Sequence, residues 1–340
     1  MKKWAKATLI STGSLLGAIA ISIGAFALVT PYGFRVVFMN ITAPSLKYGD
    51  YKFVGDEYLD VQYSDISPTD TLDIYIPSDV HNPKLMVLVH GGGFSYNNSR
   101  SRQARFMYEY FRCQGYAVSS LNYRLSGEAK YPAAVNDVKA ALRYLTANSS
   151  KYGYNAEGIT IWGESAGAYL ATMAAFSSKD EYIDVKYIGE PENETIDYKI
   201  TGLIDHYGIY KIEDVMNQFD EQGWPSFVTT SDGNWAKGIN SALAESFFGE
   251  KVKDMSDDSL IEYNPISRID AAPKDMKVYI AHGDADITVP IMQSEHLYEK
   301  AKEHFGHDNV MFDVYRNYRH ADDRFYTSDS LSKIKDFLKG

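Results

Sequence analysis

The stretch IWGESAGAYL, residues 161–170, places one serine between two glycines, where an apolar run ends and an alanine-rich run begins. An apolar β-branched run followed by helix-forming residues predicts a strand that turns sharply into a helix, with Ser165 at the corner. Such a corner strains the backbone and holds the serine hydroxyl clear of the sheet. We therefore expect a side chain at Gly163 or Gly167 to collide with the adjacent strand or helix. Because Gly-x-Ser-x-Gly arises by chance in roughly one chain in ten of this length, the flanking strand and helix patterns carry the prediction.

The glycine-rich stretch LMVLVHGGGF, residues 85–94, supports a reactive serine. Three consecutive glycines after an apolar strand allow the backbone to approach a ligand closely and to direct amides toward it. We predict that the amides of Gly92, Gly93 and Ala166, the residue after the serine, form an oxyanion hole. A flexible turn is the alternative interpretation, but a turn would not need an apolar strand directly before it.

Alternating strand and helix patterns predict an α/β fold with a mostly parallel eight-stranded sheet flanked by helices. Near-continuous apolar runs such as LMVLVH and ITIWG are typical of central parallel strands covered on both faces, whereas the first two strand patterns alternate and suit an antiparallel edge. The predicted strands are Leu59–Ser64, Leu72–Pro77, Leu85–His90, Ala117–Tyr123, Ile159–Gly163, Gly202–Tyr207, Lys277–Gly283 and Val310–Arg316. The predicted helices cover 101–114, 132–147, 166–178, 290–305 and 329–339.

Residues 209–265 interrupt this alternation and are rich in acids and turn-forming residues. We interpret them as a cap insertion, with a simple long crossover as the alternative, because loops of this length are usually functional. Four aromatic residues of the segment are expected to provide an apolar or sugar-stacking wall for the substrate. They are Trp224, Trp235, Phe247 and Phe248.

A serine hydroxyl needs a base within hydrogen-bonding reach to become nucleophilic. In an open α/β sheet the reacting groups lie beyond the carboxyl ends of the strands. Of the eight histidines, His320 directly follows the last strand pattern and is the predicted base. His90 and His282 also end strand patterns, but each precedes a glycine and is interpreted as a structural hydrogen-bonding group.

The base in turn needs an acid that fixes its tautomer and stabilises the imidazolium. The stretch VYIAHGDADITVP supplies two aspartates at the end of a strand pattern. We favour Asp286, which lies further past the strand end, and keep Asp284 as the less favoured choice. The order Ser165, Asp286, His320 is that of the nucleophile-elbow hydrolases.

With these motifs, the chain resembles the α/β-hydrolase fold serine esterases and lipases, near the hormone-sensitive-lipase-like and the feruloyl or acetyl esterase-like branches. The resemblance implies the roles of nucleophile, acid and base given above, no metal and no organic cofactor, and a structural ion pair between Arg124 and Asp137. The chain departs from the resemblance at Glu164, where aspartate is usual, and around His320, which lacks the common Gly-His-Gly-Phe setting. The motifs that carry the resemblance are His90–Phe94, Asn122–Leu125, Tyr131–Ala134 with Asp137, Gly163–Gly167, His282–Asp286 and His320.

The expected function is a serine carboxylesterase that hydrolyses short acyl esters or acylated carbohydrates through an acyl-serine. Phe94 and Tyr96 follow the glycines and Glu164 adjoins the serine, so these three are the predicted substrate-binding residues. An amide hydrolase (a formamidase or peptidase) and a non-catalytic binding module on the same fold are the alternatives. A lipase acting at interfaces is disfavoured by the low hydrophobicity of the chain outside its first residues. The net charge of −11 disfavours nucleic acid as a partner. Cys113 is the only cysteine, so an intramolecular disulfide is impossible.

The first 35 residues differ from the rest of the chain. Lys2, Lys3 and Lys6 precede a long uncharged and mostly apolar run. That run is long enough for a membrane helix and also fits a cleaved secretory signal. We favour a membrane anchor over 1–35, with the hydrolase domain, 36–340, outside the cytoplasm because of the basic start. Secretion after signal cleavage is the alternative, and the oligomeric state is not predicted.

Overall fold

The computed structural model describes residues 55–192, 196–221, 229–230 and 233–339. The predicted N-terminal apolar helix within 1–35 lies outside these residues. Within the described ranges, no helix combines the length and the apolar character that a membrane crossing requires.

An eight-stranded, mostly parallel sheet forms the centre of the fold. Its strands are β1 (Glu57–Gln62), β2 (Thr71–Tyr75), β3 (Lys84–Val89), β4 (Ala117–Leu121), β5 (Asn155–Glu164), β6 (Ile200–His206), β9 (Lys277–Gly283) and β10 (Val310–Tyr315). They lie in the order β1-β2-β4-β3-β5-β6-β9-β10, and only the pairs that involve β2 are antiparallel. The eight predicted strands are confirmed. The central strand β3 is buried over its last five residues, which explains its unbroken apolar run.

Helices cover both faces of the sheet. They are α1 (Arg102–Cys113), α2 (Ala133–Ala147), α3 (Ser149–Tyr152), α4 (Ala166–Phe176), α5 (Ile212–Glu221), α6 (Trp235–Phe248), α7 (Asp257–Tyr263), α8 (Met292–Phe305) and α9 (Ser328–Lys339). One apolar cluster contains residues of α2, α4 and α8, and a second contains residues of α1 and α9. Every residue of α4, the helix after Ser165, is buried, so its start is held firmly between the sheet and the other helices.

The connection between β6 and β9 contains the segment predicted to be a cap, 209–265. It carries α5, a two-stranded pair formed by β7 (Thr229–Thr230) and β8 (Gly233–Asn234), and then α6 and α7. The segment therefore holds helices and a small sheet of its own along its described length. Trp224 and the side chain of Trp235 lie outside the described part of the chain.

Phe247 and Phe248 correct one prediction. Both side chains are buried, and the ring of Phe247 stacks on Phe94 with 3.8 Å between the ring centroids. The ring of Phe248 stacks on Tyr263 at 4.3 Å. These two phenylalanines thus join α6 to the core. Their expected role as a substrate-facing wall is wrong, because the turn of α6 that faces the cleft carries Leu243 and Ala244 instead.

Candidate active site

Ser165 occupies the sharp corner between β5 and α4. Its backbone angles are φ 53° and ψ −119°, a region that residues with a side chain rarely adopt. A Cβ atom built on Gly163 would lie 2.2 Å from the carbonyl oxygen of Gly167, and one on Gly167 would lie 2.2 Å from that of Val89. The predicted collisions at both glycines are confirmed, and they explain why the corner requires glycine on each side of the serine.

The structure brings Ser165, His320 and Asp286 together at the carboxyl rim of the sheet. Nε2 of His320 lies 3.0 Å from Oγ of Ser165, and Nδ1 lies 2.6 Å from Oδ2 of Asp286. Ser165 follows β5, Asp286 follows β9 and His320 follows β10, so three strand ends supply the three side chains. This is the geometry in which an imidazole can remove the proton from a hydroxyl while a carboxylate holds the opposite ring nitrogen.

The carboxylate of Asp286 is held on both of its oxygens. Oδ1 accepts hydrogen bonds from the amides of Thr288 and Val289, at 2.7 Å and 2.9 Å. Burial acts to raise the pKa of Asp286, but the imidazole of His320 and the hydrogen bonds outweigh it and hold the pKa well below its ordinary value. Asp286 is therefore ionised near neutral pH and accepts a hydrogen bond from His320.

Asp284 forms hydrogen bonds with the loop that carries His320. Its Oδ1 accepts a hydrogen bond of 2.5 Å from the amide of Asn317, and its own amide donates to the carbonyl of Tyr315. The amide of Ala285 donates to the carbonyl of Tyr318 in the same way. Asp284 thus ties the loop after β9 to the loop after β10, and the triad geometry is formed by Asp286.

His282 lies against the same acid. Its Nδ1 lies 2.7 Å from Oγ of Ser294, and its Nε2 lies 3.1 Å from the carbonyl oxygen of Val289 and 3.3 Å from Oδ2 of Asp286. The predicted structural role of His282 is confirmed by these hydrogen bonds, and its contact with the acid was not predicted. The spacing in the sequence could have indicated this contact, because His282 ends a strand pattern four residues before Asp286.

The glycine loop after β3 lies beside the serine. Gly92 and Gly93 have φ angles of 121° and 55°, and the carbonyl oxygen of Gly92 accepts from the amides of Ser95 and Tyr96. The amides of Gly92, Gly93 and Ala166 donate no hydrogen bond to any other residue that the structure describes. All three residues line the cleft that contains Ser165. Three amides beside one nucleophile are the arrangement that an oxyanion requires, and their role remains a prediction.

His90 and the Arg124–Asp137 pair hold the neighbouring loops. Nδ1 of His90 lies 2.8 Å from the carbonyl oxygen of Gly91, and the His90 ring stacks on Tyr123 at 4.4 Å. Burial lowers the pKa of His90 to about 4, so the ring stays neutral near pH 7. The guanidinium of Arg124 contacts the buried carboxylate of Asp137 at 2.7 Å, which confirms the ion pair that the family resemblance implied.

The cleft above Ser165 has a volume of about 570 Å³. Phe94 and Tyr96 both line it, as predicted, but they differ in exposure. Phe94 is 6% exposed and stacks on Phe247, whereas Tyr96 is 66% exposed at the mouth. The insertion contributes an apolar side to the cleft. The lining residues between β6 and β9 are Tyr207, Ile209, Ile212, Leu243 and Ala244, and polar lining residues from elsewhere include Asn97, Gln103 and Thr288.

Glu164 does not present its carboxylate to the cleft as a substrate-binding residue would. The residue is 3% exposed, and its Oε1 accepts hydrogen bonds from the hydroxyls of Tyr326 and, at 3.4 Å, Tyr207. Burial raises the pKa of Glu164 to about 7. The side chain thus lies beneath the nucleophile, within the protein, although the residue borders the cleft.

Comparison with known proteins places these features in a family. The model of the BD-FAE family matches residues 72–301. Two curated relatives come from Mycobacterium tuberculosis. The probable carboxylic ester hydrolase LipM is 24% identical over 75% of this chain and 53% of its own length. The esterase LipQ is 26% identical over 85% of this chain and 64% of its own length. The chain thus spans between half and two thirds of these relatives.

A solved structure shares the fold. A truncated form of a carbohydrate esterase from gut microbiota superimposes with a TM-score of 0.67 at 22% identity, over 88% of this chain and 98% of that one. The strand order, the mostly parallel sheet and the flanking helices have the arrangement of the α/β-hydrolase fold.

Proposed function

The chain belongs to the BD-FAE family, and on that basis we propose that it is a serine carboxylic ester hydrolase that acts through an acyl-serine intermediate. The observation that carries the proposal is the continuous contact from Asp286 through His320 to Ser165, with distances of 2.6 Å and 3.0 Å. The names of the curated relatives, a probable carboxylic ester hydrolase and an esterase, support the same reaction.

The first half-reaction transfers the acyl group to the serine. Nε2 of His320 takes the proton from Oγ of Ser165 while Oγ attacks the ester carbonyl carbon. The carbonyl oxygen becomes an oxyanion, which the amides of Gly92, Gly93 and Ala166 stabilise, each by about 3 kcal/mol by analogy with measured oxyanion donors. The imidazolium then gives its proton to the leaving alcohol as the bond between carbon and the alcohol oxygen breaks.

The second half-reaction releases the acid. His320 takes a proton from a water molecule, which attacks the acyl-serine carbonyl, and the same three amides stabilise the second oxyanion. The proton on His320 returns to Oγ of Ser165 as the acyl–oxygen bond breaks. Asp286 remains ionised throughout, because its pKa lies well below the ordinary value.

The substrates we propose are short acyl esters, including acylated carbohydrates. The apolar side of the cleft supports a small acyl group, since Ile209, Ile212 and Leu243 lie there. The cleft lining also includes Asn97 and Gln103, whose amides suit a polar alcohol such as a sugar. The carbohydrate esterase of the same fold supports this choice.

The test compares the protein with its Ser165→Ala variant on p-nitrophenyl esters of increasing chain length and on acetylated and feruloylated sugars. We expect turnover with the shorter esters and the loss of nearly all turnover in S165A. A fluorophosphonate should label the unsubstituted protein once and fail to label S165A. Ser332→Ala, on the distant helix α9, is the matched control and should keep both properties. Normal ester turnover by S165A, or turnover confined to formamide or peptide substrates, would refute the proposal.

We propose in addition that residues 1–35 anchor the protein in a membrane with the hydrolase domain outside the cytoplasm. The support is the basic start followed by a long apolar run. Fractionation of cells that express the full chain is the test, with carbonate extraction of the membranes. Recovery in the extracted membrane pellet supports an anchor, whereas a shortened protein in the medium supports a cleaved signal.

A further inference from the structure

Glu164 is a buried carboxyl directly before the nucleophile. It ends β5, and its side chain is held by two tyrosine hydroxyls that come from different parts of the fold. Tyr207 follows β6, and Tyr326 lies in the 3-10 turn Asp323–Tyr326 after the last strand. The two hydroxyls also contact each other at 2.5 Å. Three polar groups thus form a compact cluster beneath the serine, in which each hydroxyl has one proton to donate, either to Oε1 of Glu164 or to the other hydroxyl.

This cluster touches the base of the triad. The ring of Tyr207 packs edge-on against the ring of His320, with 4.8 Å between the centroids. The charge of His320 also acts on Glu164, since it favours the ionised form of that carboxyl. Glu164 therefore reaches His320 by a packing contact through Tyr207 and by its electric field.

The cluster lacks any other charge partner among the described residues. No lysine or arginine within that set forms an ion pair with Glu164. His206 pairs with Glu164 across the strands β5 and β6. The centroid of its ring lies 5.8 Å from that of Tyr207 and 6.0 Å from that of Tyr326. Burial lowers the pKa of His206 to about 3, so it stays neutral near pH 7. His320 is thus the titratable cation that faces Glu164, and Tyr207, Tyr326 and His206 are the other titratable groups around it.

We propose that Glu164 is a positioning residue for His320, which orients the imidazole through Tyr207 and stabilises its protonated form with a second negative charge. The inference rests on the proposed ester hydrolysis. During acylation the proton moves from Ser165 to His320 and then to the alcohol, and Glu164 neither gives nor takes it. The ionised carboxylate makes His320 a stronger base, because an opposite charge nearby favours the protonated ring. Burial raises the pKa of Glu164 to about 7, so below that pH most of the carboxyl is protonated. The protonated carboxyl carries no charge and does not stabilise the imidazolium.

The experiment is the pH profile of kcat/KM with a p-nitrophenyl ester, measured on the full chain and on Glu164→Gln. We expect E164Q to lower the plateau by about tenfold. We expect it also to move the midpoint of the acid limb to lower pH, because a neutral amide cannot favour the imidazolium as the ionised fraction of Glu164 does. Glu164→Asp keeps the charge, so its midpoint should stay near that of the unsubstituted protein even if its rate falls. A purely structural role would lower the rate and leave the midpoint where it was.

Asp70 provides a matched control. It is also buried, burial raises its pKa to about 7, and its carboxylate lies 3.5 Å from the hydroxyl of Tyr63. It precedes β2 near one edge of the sheet, whereas Glu164 ends a central strand. Asp70→Asn should therefore leave the midpoint and the plateau unchanged, and a shift there equal to that of E164Q would overturn the proposal.

A second substitution covers the case in which E164Q does not fold. Tyr326→Phe removes one donor of Glu164, disfavours the ionised carboxyl and should move the midpoint in the same direction. Unchanged profiles in every folded variant, while the unsubstituted protein turns over ester, would overturn this inference alone. Absence of both ester turnover and fluorophosphonate labelling in the unsubstituted protein would instead refute the proposed function.

Discussion

Nε2 of His282 lies 3.3 Å from Oδ2 of Asp286, the same oxygen that contacts His320 at 2.6 Å. The acid of the triad therefore lies between two imidazoles, one that faces the serine and one that is fully buried. Since Nε2 of His282 also lies 3.1 Å from a carbonyl oxygen, it carries the proton and donates. His282 thus fixes the position of the acid from behind.

His282→Leu should reduce both the stability and the rate. Loss of the ring leaves buried acceptors without a donor, which should lower the free energy of unfolding by about 1–3 kcal/mol. Displacement of the acid should lower kcat by about 10- to 100-fold. Urea unfolding and ester kinetics measure the two effects. Ser294→Ala, which removes only the contact to Nδ1, is the control and should lower kcat far less. A folded H282L protein with normal kcat would contradict this role.

Asp286→Asn should be far more damaging than Asp284→Asn. An amide at 286 can no longer favour the tautomer that accepts from Ser165, so kcat should fall by about 10⁴-fold. At 284 the amide oxygen can still accept from Asn317, and the loop should keep its position. Kinetics of the two isosteric variants decide between the two aspartates. Equal losses in both would mean that the triad acid has been misassigned.

Stability should depend on pH through Glu164. Its pKa is raised from 4.5 to about 7 in the folded protein, so the folded state holds a proton that the unfolded state releases. This contribution is present below about pH 4.5 and is lost as the pH rises to about 7, by on the order of 3 kcal/mol. The pKa of Asp286 is lowered, so its contribution to the free energy of unfolding changes only at lower pH and is constant across this window.

The measurement is the free energy of unfolding at pH 5 and pH 7.5 for the unsubstituted protein and E164Q. The difference between the two proteins isolates Glu164 from the other buried groups, such as Asp205, whose pKa burial raises to about 6. E164Q should gain relative stability as the pH rises. A constant difference at both pH values would show that Glu164 titrates alike in the folded and unfolded states.

Leu243 should limit the length of the acyl chain. A Cβ atom on Gly93 would meet the methyl groups of Leu243 at 2.7 Å and 3.0 Å, so this side chain covers the predicted oxyanion loop. Leu243→Ala should raise kcat/KM for octanoyl over butyryl esters by about tenfold, because each accommodated methylene contributes. Leu260→Ala on α7, away from the cleft lining, is the control. An unchanged preference in L243A would place the acyl chain elsewhere.

Local patterns in the sequence were sufficient for the sheet and for the reacting side chains. Strand β3 is recognisable because a strand buried on both faces must be apolar throughout, and Ser165, Asp286 and His320 each come within a few residues of the end of a strand pattern. Once parallel strands are assumed, their carboxyl ends share one rim, and side chains far apart in the chain converge there.

The surroundings of those side chains depend on contacts with no local signature. Tyr326 is 162 residues from Glu164, and nothing in either segment indicates the other. Glu164 was therefore assigned to the cleft because it adjoins the serine. Phe247 and Phe248 were placed on the wrong side of α6 for a similar reason, since helical periodicity shows which residues share a face but not what covers it.

The stack of Phe94 on Phe247 makes the insertion a poor candidate for exchange between related enzymes. The amide of Tyr131 donates to the carbonyl of Phe247, and Nζ of Lys130 donates to that of Ser246. Replacement of the insertion by that of a relative would break these hydrogen bonds together with the stack of Phe247 on Phe94, which lies next to the glycine loop. A chimaera that replaces α6 would inherit an exposed Phe94 and a loosened nucleophile environment. Changes of substrate preference in this fold should therefore be made by substitution of single side chains that line the cleft, such as Leu243.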